Sequence, residues 1–221
     1  MDAGSASGGP SLKQLILVPA VITLGVTLLR LVGELQNWSP TFFNSQAGGP
    51  WAIVGIVWLV PIFGLYFGLK LARSGLDPSE PMARTVGFAL LGMVVMMAIG
   101  TLGVRLAGGT VANIAAFTIG AVAAIPVAFR GWPALGRTLL AYGFAARIPV
   151  AIVMLLAILG DWGTHYDSPP PNFPPSSPLL EWLLTGLVPQ LTFWISFTLL
   201  FGMLVGGLAV ALARRRLPAT A

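Results

Sequence analysis

The sequence predicts an all-α integral membrane bundle of six transmembrane helices. Of the 221 residues, 56% are hydrophobic and only 9% are charged, whereas soluble domains carry about 25% charged residues. Mean hydropathy is strongly positive, at +0.87. Six apolar stretches reach the length of about 20 residues that a helix needs to cross a bilayer. Together they fill nearly the whole chain and leave no room for a separate soluble domain.

The first three predicted spans have charged residues only near their ends. All six spans, in order, cover residues 12–35, 51–71, 84–107, 110–129, 135–160 and 179–216. The first carries Arg30 and Glu34 near its far end, and the second closes with Lys70 and Arg73. The third is uncharged until Arg105. This distribution is typical of helices whose middles face lipid.

The last three spans differ from the first three in their polar content and length. Asn113 is the only strongly polar side chain of the fourth span, and Arg147 lies near the middle of the fifth. The sixth is uncharged from Trp182 to Ala213, which is more than one perpendicular crossing needs. We therefore expect it to tilt, to kink at Pro189 or to begin as an interfacial segment.

Small residues recur at helical spacing in three spans, which favours close helix packing in lipid. They are Gly64 and Gly68 in the second span, Ala112, Ala116, Gly120 and Ala124 in the fourth, and Gly202 and Gly206 in the sixth. The long stripe in the fourth span predicts that this helix is central to the bundle.

Nine of the twelve basic residues gather at one side of the predicted bundle, and only Arg105 approaches the turn between the third and fourth spans on the other side. The nine are Lys13, Lys70, Arg73, Arg84, Arg130, Arg137, Arg214, Arg215 and Arg216. The loops at 36–50 and 161–181, on the other side, have no Lys or Arg. The positive-inside rule then predicts both termini in the cytoplasm, with a bacterial cytoplasmic membrane as the expected location. Insertion topology accounts for the net charge of +5, so we expect no nucleic-acid partner.

The chain is expected to form one transmembrane domain over residues 12–216. Residues 1–11 are rich in Gly and Ser and predict a disordered tail, and residues 217–221 form a short C-terminal tail. The apolar run after Lys13 is too long for the core of a cleavable signal peptide, which predicts a retained first helix.

The two outer loops have distinctive compositions. The first contains aromatic residues, namely Trp38, Phe42, Phe43 and Trp51, which are typical of a belt at the lipid headgroups. The second has six prolines between Ser168 and Pro178, which predict a stiff, extended strap across the outer face. Docking of a protein partner at residues 36–50 and 161–181 is the alternative.

Arg147 is the most informative residue, because a guanidinium at this depth costs at least a few kcal/mol unless it is paired or wetted. The candidate polar site gathers the charged residues of the outer half of the predicted bundle. It consists of Arg147, Arg30, Glu34, Arg105, Asp161 and His165. Two interpretations are open. These residues either balance one another's charge or line a pocket for an anion or a lipid headgroup, with arginine as the bidentate donor.

The sequence does not predict an enzyme, a cofactor or a metal site. There is no cysteine and only one histidine, and the spacing of Asp161, His165 and Asp167 matches no recognised metal motif. Ser196 lies deep in the sixth span, far from the loop that holds the histidine. Two functions remain, and no characterised family is recognised. The slightly favoured one is a structural or accessory membrane subunit, and the alternative is a small permease or channel-like transporter with a site around Arg147, Glu34 and Arg30.

Overall fold

The computed structural model describes residues 9–46 and 53–216, and every regular element in these ranges is helical. The elements in order are α1 (Leu12–Leu35), a 3₁₀ turn (Ile56–Trp58), α2 (Leu59–Arg73), α3 (Met82–Ala107), α4 (Thr110–Phe129), α5 (Pro133–Gly160), α6 (Pro178–Glu181), a π-helical segment (Trp182–Leu187), α7 (Val188–Leu191) and α8 (Phe193–Arg216). They form six spans long and apolar enough to cross a membrane. The chain is therefore a multi-pass membrane protein, and the predicted all-α, six-span fold is confirmed.

Local sequence signals determine where the helices begin. Ser11 caps α1, since its hydroxyl accepts a hydrogen bond from the Gln14 backbone while the Gln14 side chain accepts one from the Ser11 backbone. Pro133 opens α5 at a position where its missing N–H has no helical partner anyway. Among the described residues the second span begins at Ile56. The predicted start at Trp51 lies outside the described residues, as do both chain ends (1–8 and 217–221).

The regular helix of the sixth span is interrupted on both sides of Pro189, where the sequence offered a kink as one of three alternatives. The π-helical segment ends at Leu187, two residues before Pro189, and α7 ends at Leu191, before Thr192, whose φ of −119° and ψ of −74° depart from helical values. A proline ring collides with the carbonyl four residues earlier in a regular helix. A wider π turn at that carbonyl relieves the clash. The sixth span therefore reaches the membrane interior as short pieces followed by the long helix α8.

The centre of the bundle is α8, not α4. Helix α8 packs against α2, α3, α4 and α5, whereas α1 packs mainly on α5. In the most apolar stretch of the sixth span 56% of the residues are buried, whereas in that of α4 only 28% are buried. The prediction of a central fourth helix is thus wrong, because its small residues serve a tight hairpin with α3. A Cβ on Gly120 would stand only 2.5 Å from the carbonyl oxygen of Met96.

The glycines of the second and sixth spans pack against each other. A Cβ on Gly64 would lie 2.7 Å from the Cα of Gly202, and one on Gly68 would lie 2.8 Å from the Cα of Gly206. No real side chain tolerates such distances, so glycine at these positions allows the two backbones to touch. The glycine pair of the second span therefore packs directly against the glycine pair of the sixth.

The outer surface of the bundle is apolar and contacts lipid. Large hydrophobic side chains are exposed along most of the spans; examples are Val18, Ile62, Val94, Ile119 and Leu212. At the end of the bundle that carries most basic residues, Asp77 forms an ion pair with Arg214. The opposite end holds residues 36–46 and 161–177, and the candidate polar site lies beneath them.

Candidate functional site

Arg147 lies near the middle of α5, and only 4% of the residue is exposed. Its Nη1 donates a hydrogen bond to Oε1 of Gln190 over 3.3 Å. Its Cζ lies 4.7 Å from the ring centroid of Trp194. Within the described part of the chain, no carboxylate comes within 4.0 Å of this guanidinium. Arg147 therefore faces the protein interior, and its contacts there are an amide and an indole ring.

Glu34, near the outer end of α1, joins two basic side chains, and its own side chain is fully buried. Nε of Arg30 donates to Oε1 of Glu34 over 2.8 Å. The backbone N–H of His165 donates to Oε2 over 2.9 Å, and Nδ1 of His165 lies 2.7 and 2.8 Å from the two carboxylate oxygens. Arg30 also donates to the carbonyl of Asn44 over 3.1 Å. We call Arg30, Glu34 and His165 the outer ionic cluster.

A tight turn in the second outer loop positions His165. The carboxylate of Asp167 accepts hydrogen bonds from the backbone N–H groups of Gly163 and Thr164, over 2.8 and 2.7 Å. It also accepts one from the Thr164 hydroxyl over 2.6 Å. An aspartate that satisfies its own backbone in this way is a common device for fixing turns. The turn holds the His165 backbone N–H and ring against Glu34.

Tyr166 anchors the same loop to α1. Its hydroxyl donates to the carbonyl of Thr27 over 3.2 Å, and the residue is buried. Its ring lies against the ring of His165, with 3.9 Å between the centroids. The loop and α1 are therefore joined at two successive points, Glu34 and Thr27.

Burial favours the neutral forms of both of these loop side chains. Burial lowers the pKa of His165 below its usual value, and the positive charge of Arg30 acts in the same direction, whereas the hydrogen bond to Glu34 opposes the shift. Burial also raises the pKa of the Tyr166 phenol. Neutral His165 can then donate its Nδ1–H to Glu34.

A cavity of about 990 Å³ lies between Arg147 and the outer ionic cluster. Polar side chains in its wall include Thr27, Arg30, Arg147, His165, Thr185 and Gln190. Apolar side chains in the wall include Val26, Leu29, Val57, Trp58, Val150 and Met154. The volume is at the upper end of the range for small-molecule sites, about 300–1,000 Å³, and mostly apolar walls with a few polar groups are typical of such sites.

The proline-rich strap crosses the outer face above this cavity. The hydroxyl of Thr110, at the start of α4, contacts the carbonyls of Pro171 and Asn172, both over 3.2 Å. Pro170 and Pro171 line the large cavity and also a second one of about 420 Å³ beside Asn113. The strap is thus a shared wall between two cavities. Its path is not extended throughout, because a turn interrupts it at Asn172, whose φ is +59° and where the N–H of Phe173 donates to the carbonyl of Pro170 over 3.1 Å.

Three of the predicted residues, Glu34, Arg105 and Asp161, do not line the cavity, although Glu34 contacts Arg30 and His165, which do. Arg105 is exposed at the outer end of α3, and α3 does not contact α1. Asp161 is exposed just beyond the end of α5, where its φ of +49° is the left-handed conformation typical of a helix C-terminus. Within residues 9–46 and 53–216, no three His, Cys, Asp or Glu side chains are grouped to hold a metal ion.

Sequence reasoning missed the residues that contact Arg147. Gln190 follows Pro189 and is the one amide side chain in the sixth span, so its depth and polarity were a usable signal. Trp194 lies four residues later, and an aromatic residue in a transmembrane span can equally well face lipid or pack between helices. The missing information was which helix faces α5.

No family model, curated protein or solved structure matches this chain.

Proposed function

We propose that this chain is a non-catalytic membrane protein that binds a monoanionic ligand in its outer cavity, as a small permease would. The observation that carries the proposal is buried Arg147, which lines the cavity and has no carboxylate partner among the described residues. The sequence alone slightly favoured an accessory subunit. That function does not call for a large cavity with an arginine in its wall.

The energetics of Arg147 support a ligand or water in the cavity. An arginine near the membrane centre costs at least a few kcal/mol unless it is compensated. One hydrogen bond to a charged group contributes about 1.5–3 kcal/mol, and a cation–π contact contributes about 0.5–2 kcal/mol. Gln190 and Trp194 supply one of each. A guanidinium has five N–H donors in a fork that matches the two oxygens of a carboxylate or phosphate.

The surrounding charges favour a monoanion. Arg30 and Glu34 neutralise each other, and His165 is neutral because burial lowers its pKa. In the described lining of the cavity, Arg147 is the positive charge without a negative partner. A dianion would place an uncompensated negative charge in largely apolar surroundings, which is costly. A single carboxylate or phosphodiester group is therefore the best match.

The test is stabilisation of the purified protein by a panel of carboxylate and phosphodiester monoanions, followed by uptake of the best binder into proteoliposomes. We expect both binding and uptake in the wild type and neither in Arg147→Gln, with the fold retained. Arg147→Lys should keep part of the binding, because it keeps the charge but loses the fork. Arg84→Gln, at an exposed arginine, is the matched control. Equal responses in all four proteins would contradict the proposal.

The accessory-subunit function remains the second candidate, because the outer loops present exposed aromatic residues. Trp38 and Phe42 are both exposed on the outer face, near the strap; residues 47–50 of the same loop lie outside the described part. Such side chains serve a headgroup belt or a protein partner equally well. Affinity purification from the native membrane, with mass spectrometry, separates the cases: a stoichiometric partner supports the subunit function, and a protein that purifies alone supports the permease.

We also propose that both termini are cytoplasmic and that the membrane is a bacterial cytoplasmic membrane, because the basic residues cluster at the end opposite the cavity. The native chain lacks cysteine, so single cysteines report topology cleanly. We expect a membrane-impermeant maleimide to label Ser45→Cys but not Ser79→Cys in intact cells. The reverse pattern would contradict the orientation.

A further inference from the structure

The large cavity has an apolar mouth between α1 and the beginning of the second span. Leu29 on α1 and Val57 and Trp58 on the 3₁₀ turn all line the cavity. The same residues are exposed on the outside of the bundle, by 46%, 39% and 65%. Residues that face both a cavity and the surroundings mark its rim. This part of the rim is entirely apolar.

The rim extends from the outer end of the second span, where Val57 and Trp58 lie in its first turn, to the upper hydrocarbon core at Leu29. Leu29 is six residues before the end of α1 at Leu35, or about 9 Å deeper at 1.5 Å per residue. The helices beside the mouth are loosely joined, since α1 packs chiefly on α5 and only lightly on α2 and the 3₁₀ turn. An apolar rim between loosely joined helices favours a mouth that opens sideways towards lipid. Pro170 and Pro171 of the strap and His165 line other parts of the same cavity.

Polar and apolar parts of the cavity lie at opposite ends of one space. Arg147 is 13 residues from the outer end of α5 at Gly160, hence about 20 Å below that end. Its guanidinium and the amide of Gln190 form the polar end, and Leu29, Val57 and Trp58 form the apolar mouth. A ligand that fills both parts must carry a monoanionic head and a hydrocarbon tail.

We infer that the ligand is an anionic phospholipid, whose phosphodiester head binds Arg147 inside the cavity while its acyl chains leave through the mouth between α1 and the 3₁₀ turn. This inference rests on the proposed function and specifies its substrate class. A phosphodiester has the single negative charge and the two free oxygens that a guanidinium binds as a fork. The bilayer supplies such a molecule with its chains already in lipid, and its head would move inwards through the cavity from the headgroup level to reach Arg147.

Native mass spectrometry of the full chain tests this inference with three probes. The first is phosphatidylglycerol, the second is phosphatidylcholine with the same chains, and the third is glycerophosphoglycerol, the phosphatidylglycerol head without chains. The variants are Arg147→Gln at the head site, Leu29→Trp at the mouth, and Leu28→Trp as control. Leu28 is 45% exposed, as Leu29 is, but it does not line the cavity.

We expect the wild type to retain phosphatidylglycerol in preference to phosphatidylcholine. Arg147→Gln should weaken phosphatidylglycerol binding by about ten- to a hundredfold, the effect of losing charge-assisted hydrogen bonds. Leu29→Trp should weaken it by about tenfold or more, and Leu28→Trp should leave it unchanged. An excess of glycerophosphoglycerol should not displace the lipid.

Two other results would overturn the inference in different ways. If glycerophosphoglycerol binds in an Arg147-dependent manner while Leu29→Trp changes nothing, the proposed anion site stands but lipid entry through the mouth is wrong. If no probe depends on Arg147, both the inference and the proposed function fail. Should Leu29→Trp prove less stable than Leu28→Trp, Val57→Trp narrows the same mouth from the other side and replaces it.

Discussion

The guanidinium of Arg147 lies over the indole ring of Trp194, with 4.7 Å between Cζ and the ring centroid, and both residues line the same cavity. Trp194 follows Gln190 by four residues, although α7 and α8 are separated by the break at Thr192. Gln190 and Trp194 both face Arg147 across this break, as residues four apart on one helical face would. The contacts hold the guanidinium in place while leaving it without a described counter-charge.

Replacement of Arg147 by an apolar residue should not destabilise the protein. Breaking a buried ion pair leaves an orphaned charge and costs about 3–5 kcal/mol, but here no described carboxylate would be orphaned. We expect Arg147→Met to unfold at the same temperature as the wild type or higher in detergent, by thermal unfolding followed with tryptophan fluorescence. A large loss of stability would show that Arg147 has a structural anionic partner.

Replacement of Glu34 should have the opposite effect. Its carboxylate accepts from Arg30 and from both the backbone and the ring of His165. The single oxygen of a glutamine cannot satisfy all three donors. We expect Glu34→Gln to lower the free energy of unfolding by about 3–5 kcal/mol, as for a broken buried pair.

The control for Glu34 is Glu80→Gln, because Glu80 pairs with Arg84 in a half-exposed i,i+4 bridge. Exposed pairs of this kind contribute about 0–1 kcal/mol. Denaturant unfolding of the two variants side by side gives the comparison. Similar losses in both would mean that the outer ionic cluster does not stabilise the bundle.

The contact between α2 and α8 predicts that the stability of the protein depends strongly on glycine at position 64. A Cβ at position 64 would stand 2.7 Å from the Cα of Gly202, so Gly64→Ala must push two backbones apart. We expect a loss of about 1–3 kcal/mol, typical of overpacking. Gly87→Ala, at a helical glycine with open space around it, should be neutral or stabilising. Equal behaviour of the two variants in thermal unfolding would refute the predicted glycine contact.

The outer ionic cluster also predicts a pH dependence of stability. The folded-state pKa of His165 is lowered by burial, so its contribution to stability is fully present above the unfolded pKa of about 6.5 and is lost as the pH falls through the lower folded value. We expect the unfolding temperature to fall on acidification from about pH 7 towards 5. In His165→Asn, whose amide can still donate near the Nδ1 position, the unfolding temperature should depend less on pH over this range. The same pH dependence in both proteins would show that His165 is not its cause.

The fold was predictable because hydropathy and charge position are properties of the sequence itself. Segment lengths identify six spans whatever their arrangement, and the glycines of the second and sixth spans indicated close packing without naming the partner helix. Helix adjacency was not predictable. The small-residue stripe that ends at Ala124 suggested a central α4, yet such a stripe serves a hairpin with α3 equally well, and only the contacts distinguish the two.

The candidate site was predictable in part for the same reason. Arg30 and Glu34 are four residues apart on one helix, so their proximity follows from helical geometry. His165 reaches them only through a loop turn tied by Asp167, and Arg105 stays away because α3 does not contact α1. The contacts of Gln190 and Trp194 with Arg147 arise because the sixth span packs against α5. Residues joined by local geometry were within reach of the sequence, and residues joined by packing were not.

The most direct test of the central claim is an experimental structure of the protein in nanodiscs that contain phosphatidylglycerol, at a resolution that shows bound lipid. We predict density for a phosphodiester within hydrogen-bond distance of the Arg147 guanidinium, with chain density passing Leu29 and Trp58. A cavity that holds only water, or an Arg147 paired with a carboxylate of the chain, would contradict the claim that Arg147 is an anion site.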